Sequence, residues 1–263
     1  MLIDAHAHLD KYEEELEAAL AEIKQHGIFT ISNSMDLPSY HRSLGIAERC
    51  AWALPTFGIH PWNAPTYADR LPELRPWIER SPILGEIGLD FHWIEEASCY
   101  PAQRKVFAFF LAAAQEQGKL VILHTKGAEA EVLRLLDSYH IQRAVVHWYS
   151  GPLGVFREMI ARGFTFTIGV EVRHSNPIQA LVQELPLSQL LTETDNPGGR
   201  KWLTGTMGMP HHLQEVIQVV ADLKQTTPEG IRQTVHRNFL RLVQDDPWLP
   251  ERYVKLLSGG GPE

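Results

Sequence analysis

The feature that most constrains the fold is a regular alternation of short apolar runs with longer amphipathic stretches. Such alternation is typical of β-α-β units whose strands form a parallel sheet. Eight runs are predicted as strands, at residues 2–7, 28–33, 52–59, 82–88, 120–124, 143–147, 164–169 and 189–194. Because 263 residues is also a usual size for a (β/α)8 barrel, the sequence predicts an α/β protein built as a (β/α)8 TIM barrel, regular or deformed.

The stretches between these strands carry apolar residues at three- and four-residue spacing, which predicts helices. The clearest of them cover residues 11–27, 101–118 and 127–140. Two more are predicted after the eighth strand, at about 211–224 and 228–244, so that an extra C-terminal helix follows the barrel. No shift in composition marks a linker. We therefore expect a single domain over residues 1–263, with a frayed tail from about residue 258.

Composition excludes several classes of protein. The net charge of −8, from 24 basic and 32 acidic side chains, argues against the broad basic surface that binds long nucleic acids. It leaves anionic substrates open, because carboxylates that hold metal ions are neutralised in the folded site. Cys50 and Cys99 are too few for a disulfide framework and predict reduced, chemically idle thiols. With no signal-peptide pattern or membrane-spanning run, the expected location is cytoplasmic, without a membrane partner.

The stretch "LIDAHAHLD" places His6 and His8 in the first predicted strand, where residues two apart project the same way. A His-x-His pair is weak evidence in a chain with 13 histidines, so its surroundings decide its meaning. More polar residues lie at the carboxyl ends of other predicted strands: His60, Glu86, His124, His147 and Asp195. In a β/α barrel these ends meet at one mouth, which is where active sites are built.

Imidazole and carboxylate groups are the ligands of borderline divalent ions, whereas two distant cysteines exclude a thiolate site. Four histidines and two carboxylates suffice for two ions if one carboxylate bridges them. Glu86 is the natural bridge, because Gly85 and Gly88 in "GEIGLD" leave space beside it. The predicted cofactors are therefore two divalent metal ions, with Zn²⁺, Mn²⁺, Ni²⁺, Co²⁺ and Mg²⁺ as candidates. Two ions that clamp a hydroxide and a substrate oxygen perform hydrolysis.

The chain carries, in this order, "DAHAHLD", "GIHPW", "GEIGLDF", a helix with Gln103 and Phe107, "ILHTKGAEAEVL", "VVHWYSG" and "ETDNP". In this ordered set it resembles the TatD family of metal-dependent hydrolases, within the amidohydrolase superfamily. The resemblance extends from Leu2 to about Leu242. It implies a deformed (β/α)8 barrel and hydrolysis of phosphodiesters, with DNA or a small phosphodiester as the partner.

The resemblance also implies roles for single residues. One metal would be held by His6, His8, Glu86 and Asp195, and the other by Glu86, His124 and His147. His60 would lie beside them and contact the substrate. The predicted catalytic residues are Glu86 and Asp195, with Asp195 accepting or orienting the proton of the attacking water.

The chain departs from the family pattern near the substrate. Lys126 stands where the family usually has an arginine. Asn196 stands where the family usually has alanine or serine, in "ETDAP" or "ETDSP". After Pro197 the chain continues with "GGRKWLTGTMGMP", where the family often has a short Leu-Ala-Pro-like stretch. In this predicted loop, Arg200 and Lys201 are candidate phosphate contacts, although a solvated surface is the simpler interpretation. Lys126 is a further candidate phosphate contact, with an ion pair to a helix carboxylate as the equal alternative. Candidate base-stacking aromatics follow the strands, with packing at the rim as the alternative: Trp62, Trp93, Trp148 and Tyr149.

Two other functions stay open from the sequence. An amidohydrolase-type deacylase or lactonase would use the same two metals on a carbonyl carbon, because both transition states are anionic. A barrel that keeps its metals but acts as a binding or scaffold protein is the third interpretation. The complete set of six ligand positions argues against it.

Overall fold

A computed structural model describes residues 1–260 of the chain, and eight parallel strands form its centre. The strands are β1 Leu2–Ala7, β2 Ile28–Asn33, β3 Ala53–Thr56, β4 Leu84–Gly88, β5 Val121–His124, β6 Ala144–Val146, β7 Thr165–Ile168 and β8 Leu190–Thr192. Each lies within one of the eight predicted segments. The sequence pattern located them because their residues are buried and apolar, as is usual in parallel sheets covered by helices.

The strands pair in the order of the chain and close into a barrel. One ladder of neighbouring strands runs β1-β2-β3 and a second runs β4-β5-β6-β7-β8, and a bridge between Phe57 and Leu84 links the two groups. The last strand meets the first through the Asp195 N–H, which donates to the His6 carbonyl at 2.9 Å. Register shifts within β1 and β4 make the barrel irregular. The predicted TIM barrel is therefore confirmed, in its deformed form.

Twelve helices surround and follow the strands within residues 1–260. They are α1 Leu16–His26, α2 Leu37–Arg49, α3 Ala64–Tyr67, α4 Arg75–Arg80, α5 Tyr100–Gln117, α6 Glu129–Ser138, α7 Leu153–Ala161, α8 Asn176–Glu184, α9 Gly198–Thr204, α10 Leu213–Leu223, α11 Pro228–Val243 and α12 Glu251–Leu257. The predicted C-terminal helix is α11, which Thr227 caps by accepting the Gly230 N–H at 3.1 Å. The loop predicted from residue 198 was wrong, because α9 begins there.

The barrel's interior and the space under the helices form the core. Val121, Ile122 and Leu123 of β5 are fully buried, and Phe107 and Phe110 of α5 belong to the same cluster. Such burial is the main stabilising contribution to the fold, at roughly 25 cal/mol per Å² of apolar surface. It fixes the strand ends, and the side chains at those ends are therefore held by a rigid frame.

The structure bears on the predicted thiols but not on the predicted single domain. Cys50 and Cys99 form no disulfide, as predicted. The single-domain organisation stays a prediction, as does the cytoplasmic location. The frayed tail falls partly on residues 261–263, which lie outside the described residues. Among residues 1–260, no helix combines the length and the hydropathy needed to cross a bilayer.

Gly88 ends β4 in a backbone conformation that side chains resist, with φ of +150°. A Cβ at this position would lie 1.9 Å from the His124 carbonyl oxygen. We expect Gly88→Ala to lower the free energy of unfolding by about 2–5 kcal/mol, from strain and overpacking together. Unfolding by denaturant measures this free energy for the variant and the wild type.

Gly154→Ala is the control, since nothing lies within 4 Å of its Cβ position in α7, and a helical alanine should stabilise slightly. Equal effects of the two changes would contradict the prediction.

Candidate active site

The carboxyl ends of the strands bring the predicted ligands to one mouth of the barrel. Within residues 1–260, three sets of side chains there could each hold a metal ion, because the donor atoms inside each set all lie within 4.8 Å of one another. The sets are His6, His8 and Asp195; His6, Glu86 and His147; and His60, Glu86 and His124. These side chains are buried, apart from the partly exposed Asp195. The structure thus gathers all six predicted ligands and His60 into one cluster.

Glu86 stands at the centre of this cluster. Its Oε1 atom lies 2.8 Å from His124 Nδ1, 3.5 Å from His60 Nε2 and 3.6 Å from His147 Nε2. Its Oε2 atom lies 3.4 Å from His6 Nε2 and 3.5 Å from His8 Nε2. One carboxylate therefore faces five imidazoles with its two oxygens directed at different groups, as a carboxylate that bridges two ions must be.

Asp195 completes the side of the cluster formed by β1. Its Oδ1 atom lies 3.3 Å from His8 Nε2 and 3.7 Å from His6 Nε2. The residue has a left-handed backbone, with φ of +50°. Hydrogen bonds on both sides hold it there, because its N–H donates to His6 and its carbonyl accepts the Gly199 N–H at 2.7 Å. The backbone therefore fixes the direction of this carboxylate.

Partners behind two of the rings set which nitrogen can bind a metal. The His8 Nδ1–H donates to the Asn33 carbonyl at 2.9 Å. The His147 Nδ1–H donates to the Glu193 carboxylate at 2.8 Å. In a neutral imidazole the other nitrogen then carries the lone pair, and it is Nε2 that faces the cluster in both residues. Both rings are thereby held in the tautomer that a metal ligand needs.

His124 is oriented the opposite way, with the same consequence. Its Nε2–H donates to Asp90 Oδ2 at 2.9 Å, which leaves the lone pair on Nδ1, 2.8 Å from the Glu86 carboxylate. The Nδ1 lone pair and the Glu86 carboxylate oxygen are both acceptors, so a proton or a metal ion must lie between them at this distance. Asp90 is itself fixed by Gln103, which accepts its N–H at 2.8 Å and donates to its carbonyl at 3.0 Å.

His60 differs from the other histidines of the cluster. Its Nδ1 accepts the Trp62 N–H at 3.2 Å, so in the neutral ring the proton is on Nε2. Burial and the neighbouring His124 lower the pKa of His60 to about 4, although Glu86 opposes this, and the ring is therefore neutral. An Nε2–H that faces the cluster is a hydrogen-bond donor. In this tautomer His60 Nε2 lies 3.3 Å from His124 Nδ1 and presents a donor to the cluster, as a substrate contact would.

His6 provides a test of whether a metal fits this cluster. Its ring is fully buried and stacks on that of His147 with 3.7 Å between the centroids. Neither of its nitrogens has a hydrogen-bond partner among residues 1–260. A buried polar group without a partner is costly, and coordination of an ion by Nε2, between Glu86 and Asp195, would relieve that cost. The donor set of imidazoles and carboxylates therefore fits divalent ions.

The carboxylates of the cluster are charged near neutral pH. Burial alone would raise the pKa of Glu86, but the imidazoles of His60 and His6 and the hydrogen bonds around it hold that pKa well below its usual range. The same balance, with His8 as the nearest partner, lowers the pKa of Asp195 to about 2. Two ionised carboxylates in a mostly buried pocket attract cations strongly, because the low local dielectric weakens screening.

Comparison with known proteins now identifies the family. Residues 3–244 match the family described as TatD related DNase. The chain belongs to this family. The resemblance predicted from its motifs is thereby confirmed, and as a TatD-family protein it is a metal-dependent hydrolase.

Relatives of this TatD-family hydrolase span almost its whole length. An uncharacterized metal-dependent hydrolase, YabD of Bacillus subtilis, is 29% identical over 92% of this chain and 98% of its own. The human deoxyribonuclease TATDN3 is 24% identical over 92% of this chain and 94% of its own. The crystal structure of YjjV, a TatD homologue from Escherichia coli, superposes with a TM-score of 0.83 at 25% identity, and covers 92% of this chain and 97% of that one.

The predicted cationic substrate contacts of the TatD-family site are partly engaged elsewhere. Lys126 Nζ donates to the Trp148 carbonyl at 3.0 Å and to Ser150 at 2.7 Å. Burial lowers its pKa, although Glu171 and other nearby carboxylates oppose this. These two hydrogen bonds therefore hold the Lys126 ammonium group at the rim of the barrel mouth, beside Trp148 and Ser150.

The predicted phosphate cradle at Arg200 and Lys201 is not formed as a loop. The segment is helical, and Arg200 donates to Glu215 of α10 at 3.2 Å, while Lys201 is exposed. The Gly199 N–H, which a cradle would offer to phosphate, is already bonded to Asp195. No contact described for residues 1–260 joins either cation to the cluster around Glu86.

The sequence interpretation missed Asp90 and Glu193, which orient two of the histidines. Both stand inside motifs that mark the family, "GEIGLD" and "ETDNP", beside predicted ligands. The available signal was that a ligating histidine normally donates its second N–H to a carboxylate or a carbonyl. Two unassigned carboxylates at the ends of β4 and β8 were therefore candidates for that role.

Proposed function

We propose that this protein is a phosphodiesterase that cleaves DNA with two divalent metal ions, one held by His6, His8, Glu86 and Asp195 and the other by Glu86, His124 and His147. The observation that carries the proposal is the arrangement around Glu86. A single carboxylate lies 2.8–3.6 Å from ring nitrogens of His6, His8, His124 and His147. Asp195 lies beside two of these rings. A deoxyribonuclease among the relatives supports the choice of DNA.

The bound ions, from the set Zn²⁺, Mn²⁺, Ni²⁺, Co²⁺ and Mg²⁺, would supply Lewis-acid stabilisation of the phosphoryl oxygens and make a water molecule acidic enough to attack near neutral pH. The Asp195 carboxylate accepts the proton of the attacking water, and hydrogen bonds of its backbone N–H and carbonyl fix its direction. The water oxygen forms the new bond to phosphorus as the bond to the leaving oxygen breaks.

His60 and Lys126 act on the substrate in this proposal. The His60 Nε2–H donates to a phosphoryl oxygen, which becomes more negative in the transition state. Its donor is preorganised, because the Trp62 N–H holds the other nitrogen. Lys126, at the rim beside Trp148 and Ser150, contributes positive charge toward the next phosphate of a strand.

The experiment that tests the proposal is a substrate panel. Purified protein loaded with Mn²⁺ or Zn²⁺ is assayed on a nitrophenyl phosphodiester, on a DNA oligonucleotide, and on a set of lactones and acyl-amides. We expect turnover of the two phosphodiesters, lost on chelation and restored with metal. Turnover of carbonyl substrates alone would overturn the proposal in favour of a deacylase or lactonase. No hydrolysis of any substrate would overturn both enzymatic assignments.

Asp90 should control metal affinity through His124. The change Asp90→Asn keeps an acceptor for the His92 and Trp93 N–H groups but removes the charge behind the ring. Loss of such an outer partner typically weakens metal binding about 10- to 100-fold, and we expect an effect of that size in calorimetric titration of chelator-stripped protein.

The matched control for this prediction is Asp222→Asn, an exposed carboxylate on α10. It should leave metal affinity unchanged. Equal affinities for the Asp90 variant and the wild type would show that His124 needs no support from Asp90.

A further inference from the structure

Three tryptophans form a continuous aromatic surface beside the metal-site cluster. We name Trp93, Trp148 and Trp202 the tryptophan shelf. The ring centroids of Trp93 and Trp202 lie 5.7 Å apart, and those of Trp148 and Trp202 lie 6.2 Å apart. Both pairs meet nearly at right angles, at 84° and 77°. Trp93 remains 47% exposed and Trp202 60% exposed, so much of the shelf faces solvent.

Each member of the shelf is tied to the cluster through the backbone. Trp148 directly follows His147, and their ring centroids lie 6.1 Å apart. The Trp93 N–H donates at 2.8 Å to Asp90, the residue that also orients His124. Trp202 lies on α9, whose first turn is bonded to the Asp195 carbonyl. The position of the shelf is therefore fixed relative to the reacting groups.

Packing alone gives a poor account of Trp202. Burying the large indole ring would stabilise the fold, at roughly 25 cal/mol per Å² of apolar surface, yet more than half of the side chain is exposed. Exposed apolar patches beside a cleft mark binding surfaces. Within residues 1–260, the large hydrophobic side chains that remain exposed include Trp62, Trp93 and Trp202.

A glycine keeps α9 close to the shelf. A Cβ on Gly199 would lie 2.8 Å from the Trp148 ring and 2.7 Å from the Thr194 carbonyl oxygen. Any larger residue would push α9, and Trp202 with it, away from Trp148. The Trp148 ring is also held by its Nε1–H, which donates to Glu171. The close packing at Gly199 and the bond to Glu171 therefore fix the positions of Trp202 and Trp148 relative to each other.

We infer that the tryptophan shelf is a base-binding subsite, on which an unpaired nucleobase next to the scissile phosphodiester stacks. The inference rests on the proposed phosphodiesterase function and extends it to the recognition of the strand. A nucleobase is the occupant that fits, because the shelf is continuous with the groups that would hold the phosphate and consists of indole rings that offer π surfaces. Stacking on aromatic side chains is tolerant of base identity. The subsite therefore selects a strand with unpaired bases without selecting its sequence.

The test compares two single-stranded oligonucleotides of equal length, one with bases and one with abasic sugars throughout. Their dissociation constants are measured by fluorescence anisotropy in chelator, which prevents turnover, and their kcat/KM values with Mn²⁺. We expect Trp202→Ala to weaken binding of the strand with bases about 5- to 150-fold, the effect of losing one stacked base. Binding of the abasic strand should not change, and Trp202→Phe should retain most of the affinity.

The control is Trp248→Ala, another exposed tryptophan, whose Nε1–H donates to the Gln117 carbonyl at the end of α5. It should affect neither strand. The inference is overturned if the wild type binds the strand with bases no more tightly than the abasic strand, or if Trp202→Ala weakens both strands equally. Failure of the proposed function is a separate result, namely no turnover of either strand with any metal, and the ratio of dissociation constants still decides the role of the shelf.

Discussion

The change Glu86→Gln is expected to abolish turnover. Among residues 1–260, Glu86 is the one carboxylate that lies within 3.6 Å of five imidazole nitrogens, and in the proposed site it contacts both ions. Glutamine keeps the shape of the side chain but loses its charge. Metal ions stabilise the charge of the transition state by several kcal/mol, so we expect kcat/KM for a phosphodiester to fall about 10³-fold or more.

The effect should be accompanied by loss of metal and not of the fold. Elemental analysis of the Glu86 variant should show less metal than the wild type, while circular dichroism shows the same helical content. The matched control is Glu48→Gln, an exposed glutamate on α2, which should behave as the wild type does. Full activity of the Glu86 variant would remove the bridging role from the account.

The change Asp195→Asn should lower turnover far more than substrate binding. The left-handed backbone of this residue, with φ of +50°, is one that asparagine adopts readily, so the substitution adds little strain. It removes the group that accepts the proton of the attacking water. General-base catalysis contributes about 10²- to 10⁴-fold, and we expect a fall of that size in kcat with little change in KM.

Steady-state kinetics on a phosphodiester measures this split, at a metal concentration that saturates the variant. Saturation matters because Asp195 is also a proposed ligand beside His6 and His8. A rise in KM with an unchanged kcat would show that Asp195 only binds substrate or metal. The control is Asp222→Asn, an exposed carboxylate on α10, which should leave both kcat and KM unchanged.

The strands were predictable because each is a short apolar run and because the runs alternate with amphipathic helices, as a parallel β/α barrel requires. Val121–His124 is a short apolar run between two amphipathic helices, and burial on both faces produces that pattern in the sequence. Once the strands were placed, the position of His124 at a carboxyl end followed from parallel topology. The same reasoning placed His6, Glu86 and His147 at one mouth, where the structure indeed brings them together.

The partners behind the ligands were not predictable in the same way. The contact between His147 and Glu193 joins residues 46 positions apart, and that between His124 and Asp90 joins residues 34 apart. Whether two such side chains meet depends on their rotamers and on the strand register, neither of which a single sequence gives. Sequence alone therefore locates the ligands better than it locates what orients them.

Helix α9 shows how tertiary contacts override local preference. Two consecutive glycines at residues 198 and 199 favour a loop, yet the segment is helical because its first turn bonds to Asp195 and packs on Trp148. The phase of that helix decides which side chains face the mouth. It directs Arg200 to Glu215 and places Trp202 against Trp93, so an aromatic surface stands where the sequence suggested a cationic one.

The most direct test of the central claim is a titration of metal against activity. Chelator-stripped protein is supplied with increasing Mn²⁺ or Zn²⁺, and the bound metal per chain and the rate of phosphodiester hydrolysis are measured on the same samples. If the site holds two ions, activity rises to its maximum as occupancy approaches about two ions per chain, the number that one bridging carboxylate and the surrounding ligands can hold. Stripped protein that binds no metal on reconstitution, or hydrolyses the phosphodiester equally well without it, would contradict the account.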